Sequence, residues 1–163
     1  MLADDRKVRF GYDLGATKIQ AYAEYEDGTP LLNANGNPIK WEENPHNIDK
    51  ANDSEEEKKR KISDVMIGQL EKCMEEANIK IEQISFLGVV VPGPVQNNVV
   101  MKLINIGLTN YDILQEIING ASERGYKFNP KMAVTNDYRG ALCGESKIGA
   151  AKGESGTIVA IRI

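Results

Sequence analysis

Apolar residues along the chain fall in short runs separated by polar turns, and the runs change character from one segment to the next. Residues 8–13 (VRFGYD) and 19–26 read as two strands, with Asp27-Gly28 as a turn signal. A third strand-like segment over residues 31–40 is interrupted by Asn35-Gly36-Asn37-Pro38. Residues 42–53 are polar, contain a proline and the chain's single histidine, His46, and read as a surface loop. Residues 54–77 then switch to helical period. Ile62, Val65, Met66, Leu70, Cys73, Met74 and Ala77 share one face. Ser54 and Glu57 have the spacing of a capping box, and Glu55, Glu56 and Glu57 sit at the positive end of the helix dipole. The same glutamates stand four residues before Lys59, Arg60 and Lys61, which suits ion pairs along a solvated face.

Beyond that helix, residues 84–91 form a buried-strand run stopped by Pro92-Gly93-Pro94, and residues 99–103 suit a short strand. Thr109 or Asn110 is placed to cap a helix reaching about residue 124, with Ile113, Leu114, Ile117 and Ile118 as its apolar stripe. Residues 132–135 read as a strand and residues 137–148 as a helix rich in small residues. On it Gly140 and Gly144 would let another backbone come close. Gly149 is a natural stop, and the closing TIVAIRI reads as a last strand. Three strands followed by alternating helices and strands predict an α/β domain, an antiparallel meander leading into crossover units. No segment repeats and no linker divides the chain.

Composition narrows the role. The 163 residues suffice for one domain with its own core. Twenty basic residues against 24 acidic ones give a net charge of −4 with no basic patch, so direct nucleic-acid binding is not expected. No run approaches a membrane span, and the N-terminal MLADDRKVRF lacks the apolar centre of a signal peptide. Cys73 and Cys143 are isolated in helical contexts and read as reduced core cysteines of a cytoplasmic protein. The sequon at Asn52-Asp53-Ser54 is better explained by Ser54 as a helix cap.

The common phosphate-loop, dinucleotide, zinc-protease and C-x-x-C motifs are absent, and the lone histidine argues against a Ser-His-Asp hydrolase. The remaining chemistry is carboxylate, amide and backbone. In Asp13-Leu14-Gly15-Ala16-Thr17-Lys18 two readings stand side by side. The turn is a hairpin tip, or it is a phosphate cradle. As a cradle it offers backbone N–H groups at Gly15, Ala16 and Thr17. Asp13 would hold Mg²⁺ directly or through water, and Lys18 would add positive charge. Asn136-Asp137, at a strand-to-helix junction, is either a plain N-cap or a catalytic pair whose carboxylate accepts a proton in phosphoryl transfer.

The order D-x-G-x-T-K, V-P-G-P, then N-D followed by G-A-L-x-G-E, resembles the ROK family of sugar kinases and sugar-sensing repressors along the chain from Val8 onward. The resemblance implies a ribonuclease-H-like, actin-like fold with a mixed sheet and flanking helices. It also implies ATP and Mg²⁺ as partners of the first turn (Asp13, Gly15, Ala16, Thr17 and Lys18). Gly93, Asn105, Asn136 and Asp137 would lie at the sugar, with Asp137 as the base. Ala16 stands where the family usually has Gly, and Tyr138 and Arg139 where Ala and Asn are commoner. Residues 1–156 would form the N-terminal domain, and residues 157–163 the first strand of a second domain. The family's second phosphate loop and its Cys-rich zinc motif are absent from these residues, so the chain alone is expected to be inactive. The final strand is expected to dock on its own domain or to pair with another copy, as in a homodimer. The implied activity is an ATP-dependent, glucokinase-like hexose kinase. The sugar-sensing domain of a ROK-type repressor is the alternative.

Overall fold

A computed structural model describes residues 5–39, 43–147 and 152–153. The long strand β1 (Val8–Leu14) pairs antiparallel with β2 (Lys18–Tyr25), which pairs antiparallel with the two-residue β3 (Asn44–Pro45). On its other side β1 pairs parallel with β4 (Ile84–Val91), and β4 pairs parallel with β8 (Lys131–Asn136). The described sheet thus runs β3-β2-β1-β4-β8. A second, antiparallel sheet of β5 (Val95–Gln96), β6 (Val99–Leu103) and β7 (Leu108–Tyr111) is inserted after β4. The helices are α1 (Glu55–Ala77), α2 (Ile113–Glu123) and α3 (Asp137–Lys147). The expected α/β class and mixed sheet are what the structure has.

Alternation decides which face of the sheet is buried. Val8, Phe10, Tyr12 and Leu14 of β1 are buried, as are Ile19, Ala21, Ala23 and Tyr25 of β2. They form one core with Ile62, Met66 and Leu70 of α1, Ile113 and Ile117 of α2, and Val100, Leu103 and Tyr111 of the small sheet. Two buried polar bonds lock α1 to the sheet. The Tyr12 hydroxyl donates to the Met66 carbonyl, and Gln69 Nε2 donates to the Ile19 carbonyl at 2.9 Å. The opposite face carries Gly11, Tyr22, Phe86, Gly88 and Ala133 along an open trough of about 590 Å³.

Several expectations change in detail. The capping box of α1 forms as read: the Glu57 N–H donates to Ser54 Oγ, and Glu57 Oε2 accepts the Ser54 N–H at 2.8 Å. The run of i to i+4 ion pairs does not form. Glu57 is engaged in the cap, Lys59 pairs with Glu56 at i+3, and Lys61 reaches back to Asp53 at 2.6 Å. Within residues 31–40 the described part forms no continuous strand but a tight hairpin-like loop with an isolated antiparallel bridge between Leu32 and Pro38. Asn33 Oδ1 accepts the N–H groups of Asn35 and Asn37, and Gly36 turns with φ +77°. The third strand is Asn44–Pro45, inside the expected loop. The cap of α2 is Asp112, which accepts the Gln115 N–H at 3.0 Å, while Thr109 and Asn110 belong to β7. Of the predicted α1 face Ile62, Met66, Leu70 and Cys73 are buried and Val65, Met74 and Ala77 partly so; Ile67 and Ser63 are buried too, because α2 covers a second side, with Ile67 over Gly120. Cys73 is buried in the core, and burial, with Glu76 adding to it, pushes its thiol up to about 12. Cys143 is exposed rather than buried. No helix among the described residues is long and apolar enough to cross a membrane. Gly149 and the TIVAIRI strand lie outside the described residues, as does the proposed boundary at residue 156.

Gly93 is where the main chain leaves β4 and passes over β6. A Cβ there would sit 2.2 Å from the Lys102 carbonyl oxygen, so only glycine fits without moving the hairpin. Gly93→Ala should lower stability by about 1–3 kcal/mol in thermal or urea denaturation. A loss below about 0.5 kcal/mol, the range of ordinary surface changes, would mean that β6 yields freely.

Candidate functional site

The three parallel strands end at one edge of the sheet. In register, Asp13 stands beside Val90 and Val90 beside Thr135, while Val91 stands beside Asn136. The turn after β1, the Pro92 corner after β4 and the start of α3 after β8 therefore meet. In open α/β sheets, ligands bind in the crevice outside the carboxyl ends of the strands. Here that crevice is a cleft of about 860 Å³ walled by Asp13, Gly15, Ala16, Asn105, Asp137 and Tyr138, with Val90 and Pro92 also lining it.

The turn is a hairpin tip by geometry. Leu14 pairs with Ile19, and the Gly15 N–H donates to the Lys18 carbonyl at 2.9 Å. A Cβ on Gly15 would lie 3.1 Å from that carbonyl. Of the three expected amides, Gly15's is thus already spent. The N–H groups of Ala16 and Thr17 donate to nothing among the described residues. Thr17 and Lys18 are exposed and do not line the cleft, and the Lys18 ammonium pairs with Glu43.

On the opposite wall, Asn136 caps α3. Its Oδ1 accepts the Arg139 N–H at 3.1 Å, and its Nδ2 donates to Asp137 Oδ1 at 3.2 Å. Asp137 Oδ1 also accepts the Tyr138 N–H at 2.9 Å. Asn136 therefore orients the Asp137 carboxylate while itself lining a neighbouring cavity of about 300 Å³ with Asn97, Asn98 and Arg139. Helix α3 approaches closely because Gly140 has no side chain: a Cβ there would be 3.1 Å from Val90 Cγ2. Asn105 arrives from the β6–β7 turn, anchored by buried Ile106 and closed by N–H donation from Ile106 and Gly107 to the Leu103 carbonyl. Gly93 does not line the cleft; its place is set by contact with β6. Tyr138 lines the wall, where the sequence marked it only as a departure from the family.

The charged residues described in the cleft wall are both carboxylates, Asp13 and Asp137. Asp13 is exposed, yet partial desolvation at the strand end raises its pKa from the ordinary aspartate value, and the negative charges of Asp137 and Glu43 raise it further. Its side chain makes no hydrogen bond or ion pair among the described residues. Two hard oxygen donors facing one cleft fit Mg²⁺, which takes one or two carboxylates and leaves its other positions to water and phosphate. No cluster of three or more acidic, histidine or cysteine ligands occurs among the described residues, so an all-protein cage is not formed.

The raised value sets a sign. The folded chain holds a proton on Asp13 at pH values where the unfolded chain has lost it, so between the two values stability falls as pH rises. A cation at Asp13 competes with that proton and binds more tightly as pH rises through the same window. In Asp137→Asn the Asp13 titration should move down but stay above its ordinary value, because partial desolvation is the larger cause and remains. Carbon-detected NMR titration of the carboxyls reads this directly; an unmoved Asp13 would mean that the two groups do not sense each other.

No family model matches the chain, and no curated protein matches it in sequence. Solved structures do. A ROK hexokinase from Thermus thermophilus is 21% identical with a TM-score of 0.59, over 90% of this chain and 39% of its own. A ROK family glucokinase from Streptomyces griseus, in complex with glucose and AMPPNP, is 18% identical with a TM-score of 0.59, over 90% and 38%. A ROK family transcriptional regulator, a homolog of the E. coli MLC protein, is 14% identical with a TM-score of 0.58, over 86% and 30%. The chain spans about two fifths or less of the length of these structures. At these identities the likeness shows the fold: this chain has the mixed-sheet α/β fold found in ROK kinases and in a ROK regulator.

Proposed function

We propose that the chain supplies one wall of the active site of an ATP-dependent sugar kinase of the ROK type, with a hexose as the simplest acceptor. The observation that carries this reading is one cleft with Ala16, whose amide is unspent, on one side and an oriented carboxylate on the other; the unspent Thr17 amide follows on the same turn, at an exposed position outside the cleft lining. The amides of Ala16 and Thr17 would receive phosphate oxygens. Asp13 would hold Mg²⁺, with Asp137 across the cleft; the ion supplies neutralisation of phosphate charge. Asn105 would orient the sugar, and Asn136, from the neighbouring cavity, would hold the Asp137 carboxylate toward it. Asp137 would accept the proton of the attacking hydroxyl as the new O–P bond forms and the bond to the ADP oxygen breaks. With so little covalent work for the protein, most of the rate comes from positioning. A kinase of the size of the matched structures would take the rest of its nucleotide and sugar contacts, and the closure that excludes water, from residues beyond these 163.

The alternative is a sugar-sensing domain, supported by the regulator of the same fold. A sensor needs the sugar wall but has no use for free turn amides beside an unpaired carboxylate, and this favours the kinase. ADP release in a coupled assay separates the two.

In the protein carrying the whole kinase, Asp137→Asn should cut turnover by about 10²–10⁴-fold, the usual effect of losing a general base, while sugar binding is kept. Turnover within about threefold of the parent, far below that range, removes Asp137 from the role. Asp13→Ala should weaken Mg²⁺-nucleotide binding and leave the sugar constant near its parent value. Calorimetric titration of each ligand checks it, and the reverse pattern would show the two sites to be exchanged.

A further inference from the structure

His46 is not on the surface, as its polar surroundings in sequence predict. It follows β3, is 4% exposed, and lies behind the turn after β1. Its main-chain N–H donates to the Thr17 carbonyl at 3.3 Å, and its Nδ1 accepts the Ile48 N–H at 3.3 Å. A ring nitrogen that accepts carries no proton, so in the neutral imidazole the proton is on Nε2. Nε2 is buried and completes no hydrogen bond. The main chain of Ala16 and Gly15, next to the Thr17 carbonyl that takes the His46 N–H, favours a proton on the ring; burial, the larger effect, and Lys50 lower its pKa from the usual value. A buried donor facing two main-chain acceptors is a costly arrangement unless it is used.

A trans peptide points the C=O of one residue and the N–H of the next in opposite directions. Drawing the Gly15 and Ala16 carbonyls back toward the ring therefore turns the Ala16 and Thr17 N–H groups away from it. Those are the two amides that no described group takes up. We propose that His46 is a positioning residue of the turn: its Nε2–H tautomer holds the Gly15 and Ala16 carbonyls from behind and presents the N–H groups of Ala16 and Thr17 to the oxygens of a nucleotide's phosphates. The proposal rests on the kinase reading of the cleft and adds to it the device that keeps the turn open to an anion. It also accounts for β3. Two residues paired to Lys18 and Ile19 are enough to deliver the histidine to the back of the turn.

The test has a ligand-free arm and a ligand arm, both on the 163-residue chain. A long-range ¹H–¹⁵N spectrum of the imidazole at neutral pH should show a neutral ring protonated on Nε2. A ring protonated on Nδ1, or charged, overturns the proposal. In the second arm Mg·ADP is titrated into the parent, His46→Leu and His46→Gln while the Ala16 and Thr17 amides are followed. Leucine fills the space without a donor, whereas glutamine returns an N–H to about the place of Nε2. His46→Leu should bind about tenfold or more weakly, the scale of one charge-assisted hydrogen bond, and His46→Gln should stay within about threefold of the parent. Equal binding by His46→Leu, or a glutamine variant as weak as leucine, overturns the proposal, since the ring then only fills space. A parent that takes no Mg·ADP overturns the phosphate role, and an Nε2–H ring in that same sample assigns the failure to the nucleotide reading and not to the geometry of the turn.

Discussion

Register between three parallel strands is the constraint on which everything else in this molecule rests. Because Asp13, Val90 and Thr135 stand in one row, and Val91 and Asn136 in the next, the segments that leave β1, β4 and β8 emerge at the same height. A one-residue slip would reverse the alternation and carry every core side chain to the wrong face, so the buried face holds the cleft in place. Tyr12 of β1, bonded to Met66, and Gln69 of α1, bonded to Ile19 of β2, tie the sheet to α1. The small antiparallel sheet adds a further wall by bringing Asn105 to the same edge, and Gly93 is the tight crossing that lets it do so.

The cleft gains its chemistry at an electrostatic cost. The negative charges of Asp137 and Glu43 oppose ionisation of Asp13, and Lys18, the nearby cation of the turn, is held by Glu43 on the exposed side. Asp13, whose side chain meets no cation among the described residues, is suited to one brought by a ligand. The helix start at Asp137 works in the same direction, since its carboxylate is fixed by the Tyr138 N–H and by Asn136 before any ligand arrives. Orientation of this kind removes reorganisation from the reacting step.

What could be read from the sequence divides along physical lines. The Ser54–Glu57 box was readable because its partners lie three residues apart. The α/β order was readable because the change from strand to helix period is itself local. The cleft-facing places of Asp13, Gly15, Ala16, Asn105 and Asp137 followed from motif order along the chain. Contacts between distant segments were not readable. His46 looks like a loop residue until β3 carries it behind the turn, and Ile67 looks marginal on α1 until α2 covers it. The Gly15 amide looks available until the hairpin closes on Lys18, and Gly93 looks like a ligand contact until β6 passes within 2.2 Å of where its Cβ would be. In each case the deciding partner is supplied by tertiary structure.

The measurement that most directly tests the central claim is amide chemical-shift mapping of the chain with Mg·ATP and, separately, with glucose. The account predicts that the nucleotide moves Asp13, Ala16 and Thr17, and that the sugar moves Asn105, Asp137 and Tyr138, with the remaining resonances nearly still. Shifts confined to the open trough around Gly11, Tyr22, Phe86 and Gly88, or none at millimolar ligand, would contradict it.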